Sequence, residues 1–245
     1  LEDEEDPVVL LYMFGGAFVV GSPEDDLSIT ARLAILTKKK VCVPRYRRSP
    51  EHPFPAARDD VFSVYSTLVS ERNVNVMVVG ESAGGNLALG LVLNVVRSSM
   101  RKPIAVALLS PWIDLTHTGD SHRTLLGHDP TLSVEHFLRP AALAYTNNTS
   151  LEESSLEISP LFDDIPPKFP PTIVSSGTRD LLLSDSVRVV SKLKASGCVC
   201  ELRIAEGLFH VFEWYPQFPE ALDSLQDIAS FLVTKSLPGT GENCQ

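Results

Sequence analysis

The chain has 245 residues, 44% of them hydrophobic and 21% charged, with a formal net charge of −10. That length and balance suit one large packed core and exclude a chain that is disordered throughout. The acidic surplus argues against nucleic acid and anionic membrane surfaces as partners, and no apolar run approaches the ~20 residues that span a bilayer.

An acidic run over residues 2–6 opens the chain and reads as a solvated end. Val8-Val9-Leu10-Leu11-Tyr12-Met13 then reads as a buried strand over 7–14, closed by the glycine-rich loop Phe14-Gly15-Gly16-Ala17-Phe18. A helix is expected over 26–38, a strand over 40–45, and, after the segment 46–57, a helix over 57–71. The next strand, 75–80, runs straight into Gly80-Glu81-Ser82-Ala83-Gly84, and a helix over 83–98 follows. A Gly-x-Ser-x-Gly pattern alone is weak. In a strand-to-helix setting it becomes a nucleophile elbow, where the flanking glycines permit a sharp turn and the helix start aims N–H groups at developing negative charge. Ser82 is therefore the candidate nucleophile, and neighbouring Glu81 reads as a residue that orients loops rather than reacts.

A strand over 103–109 leads into a segment from Pro111 to Pro171 that is too long for an ordinary connection and holds one clear helix, 133–145. Insertions of this length usually line active sites, so Leu161 and Phe162 are assigned to a substrate pocket. The strand 171–176 ends at Gly177-Thr178-Arg179-Asp180, and the strand 199–205 at Glu206-Gly207-Leu208-Phe209-His210, with helices over 185–196 and 218–235 between and after them. Asp185 reads as a helix cap and Asp114 as a support behind the site. Alternating strands and helices without repeats indicate a parallel sheet covered on both faces. In such a sheet the C-terminal ends of the strands share one edge, so Ser82, Asp180 and His210 can converge there as nucleophile, acid and base. His52, His117, His122, His128 and His136 lie in loops or in the insertion, which leaves His210 as the base. The N–H groups of Gly15, Gly16 and Ala83 are the expected donors to an oxyanion.

These residues, with Tyr46-Arg47-Arg48-Ser49-Pro50-Glu51-His52-Pro53-Phe54-Pro55-Ala56-Ala57, Ser110-Pro111-Trp112-Ile113-Asp114-Leu115-Thr116 and Asp180-Leu181-Leu182-Leu183-Ser184-Asp185, carry a family resemblance from about Pro7 to about Phe231. The chain resembles the hormone-sensitive-lipase group of α/β-hydrolases. The resemblance implies an α/β-hydrolase fold as a single domain over 1–245 and cofactor-free hydrolysis of carboxylic esters with short to medium acyl chains. It also carries the triad roles onto Ser82, Asp180 and His210.

Two departures from the family pattern stand out. The oxyanion loop usually begins with His followed by three glycines, and here those outer positions are Phe14 and Ala17. Replacing an imidazole by an apolar ring is expected to loosen the loop and slow the enzyme. The family also has several tens of residues before this loop, forming opening strands and much of a cap, so the fold is expected with these shortened or missing and the substrate site more open. Phe14, Leu208 and Val211 complete the expected pocket.

Cys42, Cys198, Cys200 and Cys244 are too few and too irregular for a disulfide scaffold, and no histidine spacing makes them a zinc site. Cys198 and Cys200 read as core residues of one strand face. No metal or cofactor is expected. The tail from 237 reads as flexible, a homodimer is left open, and two sequons at Asn147 and Asn148 matter only on a secreted chain. The location expected from these features is cytoplasmic. The competing readings are a serine peptidase with the same triad order, and a non-catalytic small-molecule receptor on a hydrolase fold. The filled triad argues against the receptor, and the lack of a recognisable pocket for a peptide terminus argues against the peptidase.

Overall fold

The computed structural model describes residues 7–152 and 158–236, so the acidic end, the tail and Cys244 lie outside the described residues. Its strands are β1 (Val8–Met13), β2 (Lys40–Cys42), β3 (Asn75–Glu81), β4 (Val106–Leu109), β5 (Thr172–Gly177) and β6 (Cys200–Ala205). They form one sheet in the order β2-β1-β3-β4-β5-β6, and every pairing is parallel. Inner strands are buried almost end to end, whereas β6, on the edge, is half exposed. That contrast explains why β1, β3 and β4 read as near-continuous apolar runs instead of alternating ones.

The main helices are α1 (Leu27–Thr37), α2 (Ala56–Ser66), α3 (Ala83–Arg97), the short α4 (Ser121–Thr124), α5 (Arg139–Tyr145), α6 (Leu183–Ala195) and α7 (Pro219–Ser236). α1 packs on α7, and α2 packs on α3. α3 is buried on nearly every side from Ala83 to Val95, as its lack of charged residues before Arg97 demands.

The expected elements are all present with shifted ends. α2 continues into a wider turn at Thr67–Glu71, and α5 is preceded by another at Val134–Leu138. The long segment after β4 holds α4 and a tight turn at Pro160–Phe162 in addition to α5. Cys198 and Cys200 are free and only partly buried, and Cys198 precedes β6, so neither is the core strand residue expected.

The chain leaves β1 toward β2 on one side and returns to β3 on the other. Such a reversal opens a crevice at the C-terminal ends of the adjacent strands. Met13 pairs with Gly80 across it, so the loop after β1 and the elbow after β3 face each other there.

Candidate active site

Ser82 sits between β3 and α3 with φ 53° and ψ −120°. A non-glycine residue in this region carries strain on the order of 1–3 kcal/mol, which its surroundings must hold. They do so through backbone hydrogen bonds, from Ser82 N–H to Leu109 O at 2.9 Å and from Trp112 and Gly85 N–H to Ser82 O at 2.9 and 3.0 Å. A Cβ on Gly80 would lie 2.3 Å from Gly84 O, and one on Gly84 would lie 2.1 Å from Met13 O. Only glycine at these positions lets α3 fold back onto β3 and lie against β1.

The three predicted residues meet at this elbow. Ser82 Oγ is 2.9 Å from His210 Nε2, and His210 Nδ1 is 3.2 Å from Asp180 Oδ1. Ser82 and His210 are each 5% exposed and Asp180 is fully buried. With the Nδ1 proton directed at the carboxylate, Nε2 is left to accept from the serine hydroxyl. Burial alone would raise the Asp180 pKa. The charge of His210 and hydrogen bonds from His210, Ser110 and Leu182 outweigh burial and hold the group below the usual carboxylate range. Asp180 is further fixed by the Ser176 hydroxyl at 2.7 Å and Leu182 N–H at 2.9 Å.

The loop after β1 is tightly coiled, with φ of 93° at Gly16, 52° at Ala17 and 65° at Phe18. Phe14 does not loosen it, contrary to the expectation from sequence. Its ring is 1% exposed and stacks on Tyr46, with centroids 4.1 Å apart and planes 10° from parallel. The Tyr46 hydroxyl donates to Phe14 O at 2.6 Å, with Gly15 O at 3.3 Å. Tyr46 thus supplies the hydrogen-bonded anchor that an imidazole at position 14 was expected to provide. Phe14→His should therefore lose about 1–3 kcal/mol if the new polar group is left unpaired, with no gain in kcat. Thermal melts and steady-state kinetics check this; an equally stable, faster variant would restore the loosened-loop reading.

Among the expected oxyanion donors, the Gly15 N–H is turned toward the buried Glu81 carboxyl and favours its charged form, without a hydrogen bond of normal geometry. The N–H groups of Gly16, Ala17 and Ala83 donate to no backbone acceptor among the described residues. Ala83 opens α3, where the first N–H groups of a helix have no partner within it.

The remaining expected pocket residues divide. Val211 is fully buried beside the base and donates its N–H to Ser110 Oγ at 3.1 Å; Leu208 is half-buried, its carbonyl packed over Gly177. Leu161 and Phe162 sit elsewhere. Leu161 is in the core and bonded to Ile113 O, Phe162 lies under the Arg188 guanidinium, and neighbouring Asp163 pairs with Arg97 at the far end of α3. Asp185 does not cap its own helix: its Oδ2 accepts from Ile113 and Asp114 N–H, each at 2.9 Å. Asp114 pairs with Arg188 at 2.7 Å and supports this loop rather than the triad. His122 is bound to Asp185 at 3.2 Å, and burial, with the nearby His122, pushes His117 down to about 3, which removes both as competing bases.

Asp129, missed from sequence, lies in the long segment after β4 and is 5% exposed. Its Oδ2 accepts from Leu181 N–H at 3.0 Å and His210 N–H at 3.3 Å, while Oδ1 holds Thr131 and Leu132. One carboxylate therefore ties the loop that carries Asp180 to the loop that carries His210. Asp129→Ala should lower kcat on the order of 10- to 100-fold with KM little changed, since small displacements of positioned groups cost that much. Loss confined to KM would show that Asp129 shapes the pocket instead.

Among the described residues no group of three or more His, Cys, Asp or Glu side chains is placed to hold a metal ion, and no helix is long and apolar enough to cross a membrane. Comparison with known proteins agrees with the geometry. A family model of the alpha/beta hydrolase fold matches residues 10–214. An esterase of Acinetobacter venetianus is 33% identical over 94% of this chain and 76% of its own length. An acetyl-hydrolase of Streptomyces hygroscopicus is 30% identical over 97% of this chain and 78% of its own. The crystal structure of an esterase from the bacterial hormone-sensitive lipase family superposes with a TM-score of 0.87 at 29% identity, covering 94% of this chain and 77% of that one.

Proposed function

The chain belongs to the α/β-hydrolase fold family, in its hormone-sensitive-lipase group, and is a serine carboxylesterase; on that premise we propose that Ser82, His210 and Asp180 cleave esters of short to medium acyl chains through an acyl-enzyme. The observation that carries this is the unbroken relay from Ser82 Oγ to His210 Nε2 and from Nδ1 to Asp180. Ser82 Oγ attacks the ester carbonyl while Nε2 takes its proton. The N–H groups of Gly16, Ala17 and Ala83 receive the oxyanion, each such donor contributing about 2.7–4 kcal/mol in comparable sites. His210 then protonates the departing alkoxide. Water, activated by the same nitrogen, releases the acid and restores Ser82. Asp180 stays ionised throughout and holds the imidazole in the productive tautomer. The name of the acetyl-hydrolase relative favours the short end of the acyl range.

A chain-length series of p-nitrophenyl esters tests this. Turnover should be greatest on acetyl to hexanoyl esters, and kcat/KM should rise with pH to a plateau, as base-assisted attack by a serine requires. A rate that climbs with hydroxide without a plateau, or a preference for long acyl chains, would overturn the proposal.

A further inference from the structure

The reaction leaves a buried acidic cluster unused behind the oxyanion loop. Glu81 at the end of β3 is fully buried, as is Tyr12 on β1, and Asp26 just before α1 is 1% exposed. A Cβ on Gly15 would lie 2.2 Å from Glu81 Oε1 and 2.5 Å from Oε2, so the carboxyl presses directly on the loop. Asp26 Oδ1 accepts from the Trp214 indole at 3.0 Å. Asp26 Oδ2, both Glu81 oxygens and the Tyr12 hydroxyl make no hydrogen bond of normal geometry, yet the three side chains lie near enough to perturb one another. With both carboxyls ionised, the cluster holds too many acceptors and one hydroxyl.

We propose that Glu81 and Asp26 share one proton, and that this acid–carboxylate pair is the strut that positions Gly15 and, through it, the oxyanion donors. The inference rests on the esterase reading above. A neutral Glu81 donates to Asp26 Oδ2 and offers its other oxygen to the Gly15 N–H. Tyr12 then donates to Asp26, and all four unpaired atoms acquire partners through a single proton. Two like charges in a water-free site also cannot both persist. Burial first, then the charge of Asp26, pushes Glu81 well above the carboxylate range, and burial lifts Asp26 to about 6. The other groups facing the pair do not change this sign. Glu213 adds negative charge from the turn before α7 and is itself held by Ser175 and Ser224, Asp25 adds more beside Asp26, and burial keeps the Tyr12 and Tyr46 hydroxyls protonated. Arg48, which acts on Tyr46, is committed to Gly21 O.

Loss of the shared proton at high pH would set two carboxylates against each other beneath the loop. The parent should therefore show an alkaline fall in kcat with KM unchanged. Glu81→Ala should lose on the order of 10²–10³-fold in kcat, the effect of disabling an oxyanion donor. Glu81→Gln, an uncharged copy of the acid form, should recover most of that loss and remove the alkaline fall. The infrared difference spectrum of parent minus Glu81→Gln at neutral pH should contain a protonated-carboxyl C=O band. Absence of the band, or a Glu81→Gln variant that keeps the alkaline fall, would overturn the proposal, and both readouts survive if Glu81→Ala fails to fold. Failure of a fluorophosphonate to label the parent at Ser82 would instead count against the esterase reading, while the infrared band would still test the shared proton.

Discussion

Ser82→Ala and His210→Ala should each remove nearly all turnover, on the order of 10⁵-fold or more in kcat, and the double variant should lose little beyond either single one. The reason is the 2.9 Å contact between Ser82 Oγ and His210 Nε2. The hydroxyl is a competent nucleophile only while the imidazole takes its proton, so removing either group removes the same step. Binding and the oxyanion donors survive in both variants and set the residual rate. A fluorophosphonate should label the parent at Ser82 and leave Ser82→Ala unlabelled. Additive losses would sink the triad, and labelling at Ser110 or Ser176, both buried near the acid, would show that the nucleophile had been misassigned.

Asp180→Asn should lower kcat by about 10⁴-fold with KM little changed. The amide keeps the shape of the carboxylate but can present its NH₂ to Nδ1, which fixes the wrong tautomer and aims the ring proton at Ser82. The same substitution has a stability signature of defined sign. The folded-state pKa of Asp180 is depressed, net of the opposing effect of burial. Its contribution is therefore present above the unfolded value, ~3.9, and disappears as pH falls through the lower folded value. The melting temperature of Asp180→Asn should accordingly fall less between neutral and acid pH than that of the parent. An equal acid loss in both proteins would show that Asp180 is not held in its ionised form.

Sequence patterns reached the sheet and the convergence of Ser82, Asp180 and His210 because both depend on short-range signals. A parallel strand covered on both faces favours a run of apolar residues, and β1, β3 and β4 are such runs. A nucleophile elbow packs strand, turn and helix into about ten residues, and strand ends on one sheet edge bring the acid and base to it without further information. What escaped depends on contacts between distant segments. The Tyr46 hydroxyl reaches Phe14 O across 32 positions, and Asp129 reaches His210 across 81. No periodicity or spacing encodes such a bond. Asp185 was misread for the same reason, since an acidic residue in a first helical turn looks like a cap until its carboxylate is seen holding Ile113 and Asp114. Long insertions usually line active sites, which points to Leu161 and Phe162, whereas Leu161 is buried and bonded to Ile113 O and Phe162 lies under Arg188.

The parts of the active site arrive from the ends of four different strands, with the oxyanion loop after β1, the nucleophile after β3, the acid after β5 and the base after β6. No fragment of the sheet smaller than the span from β1 to β6 contains all of them, and β4 lies between the nucleophile and the acid. Hydrolysis is therefore a property of the assembled sheet rather than of any local motif. A chain in which β6 has not docked at that edge presents Ser82 without His210 beside it.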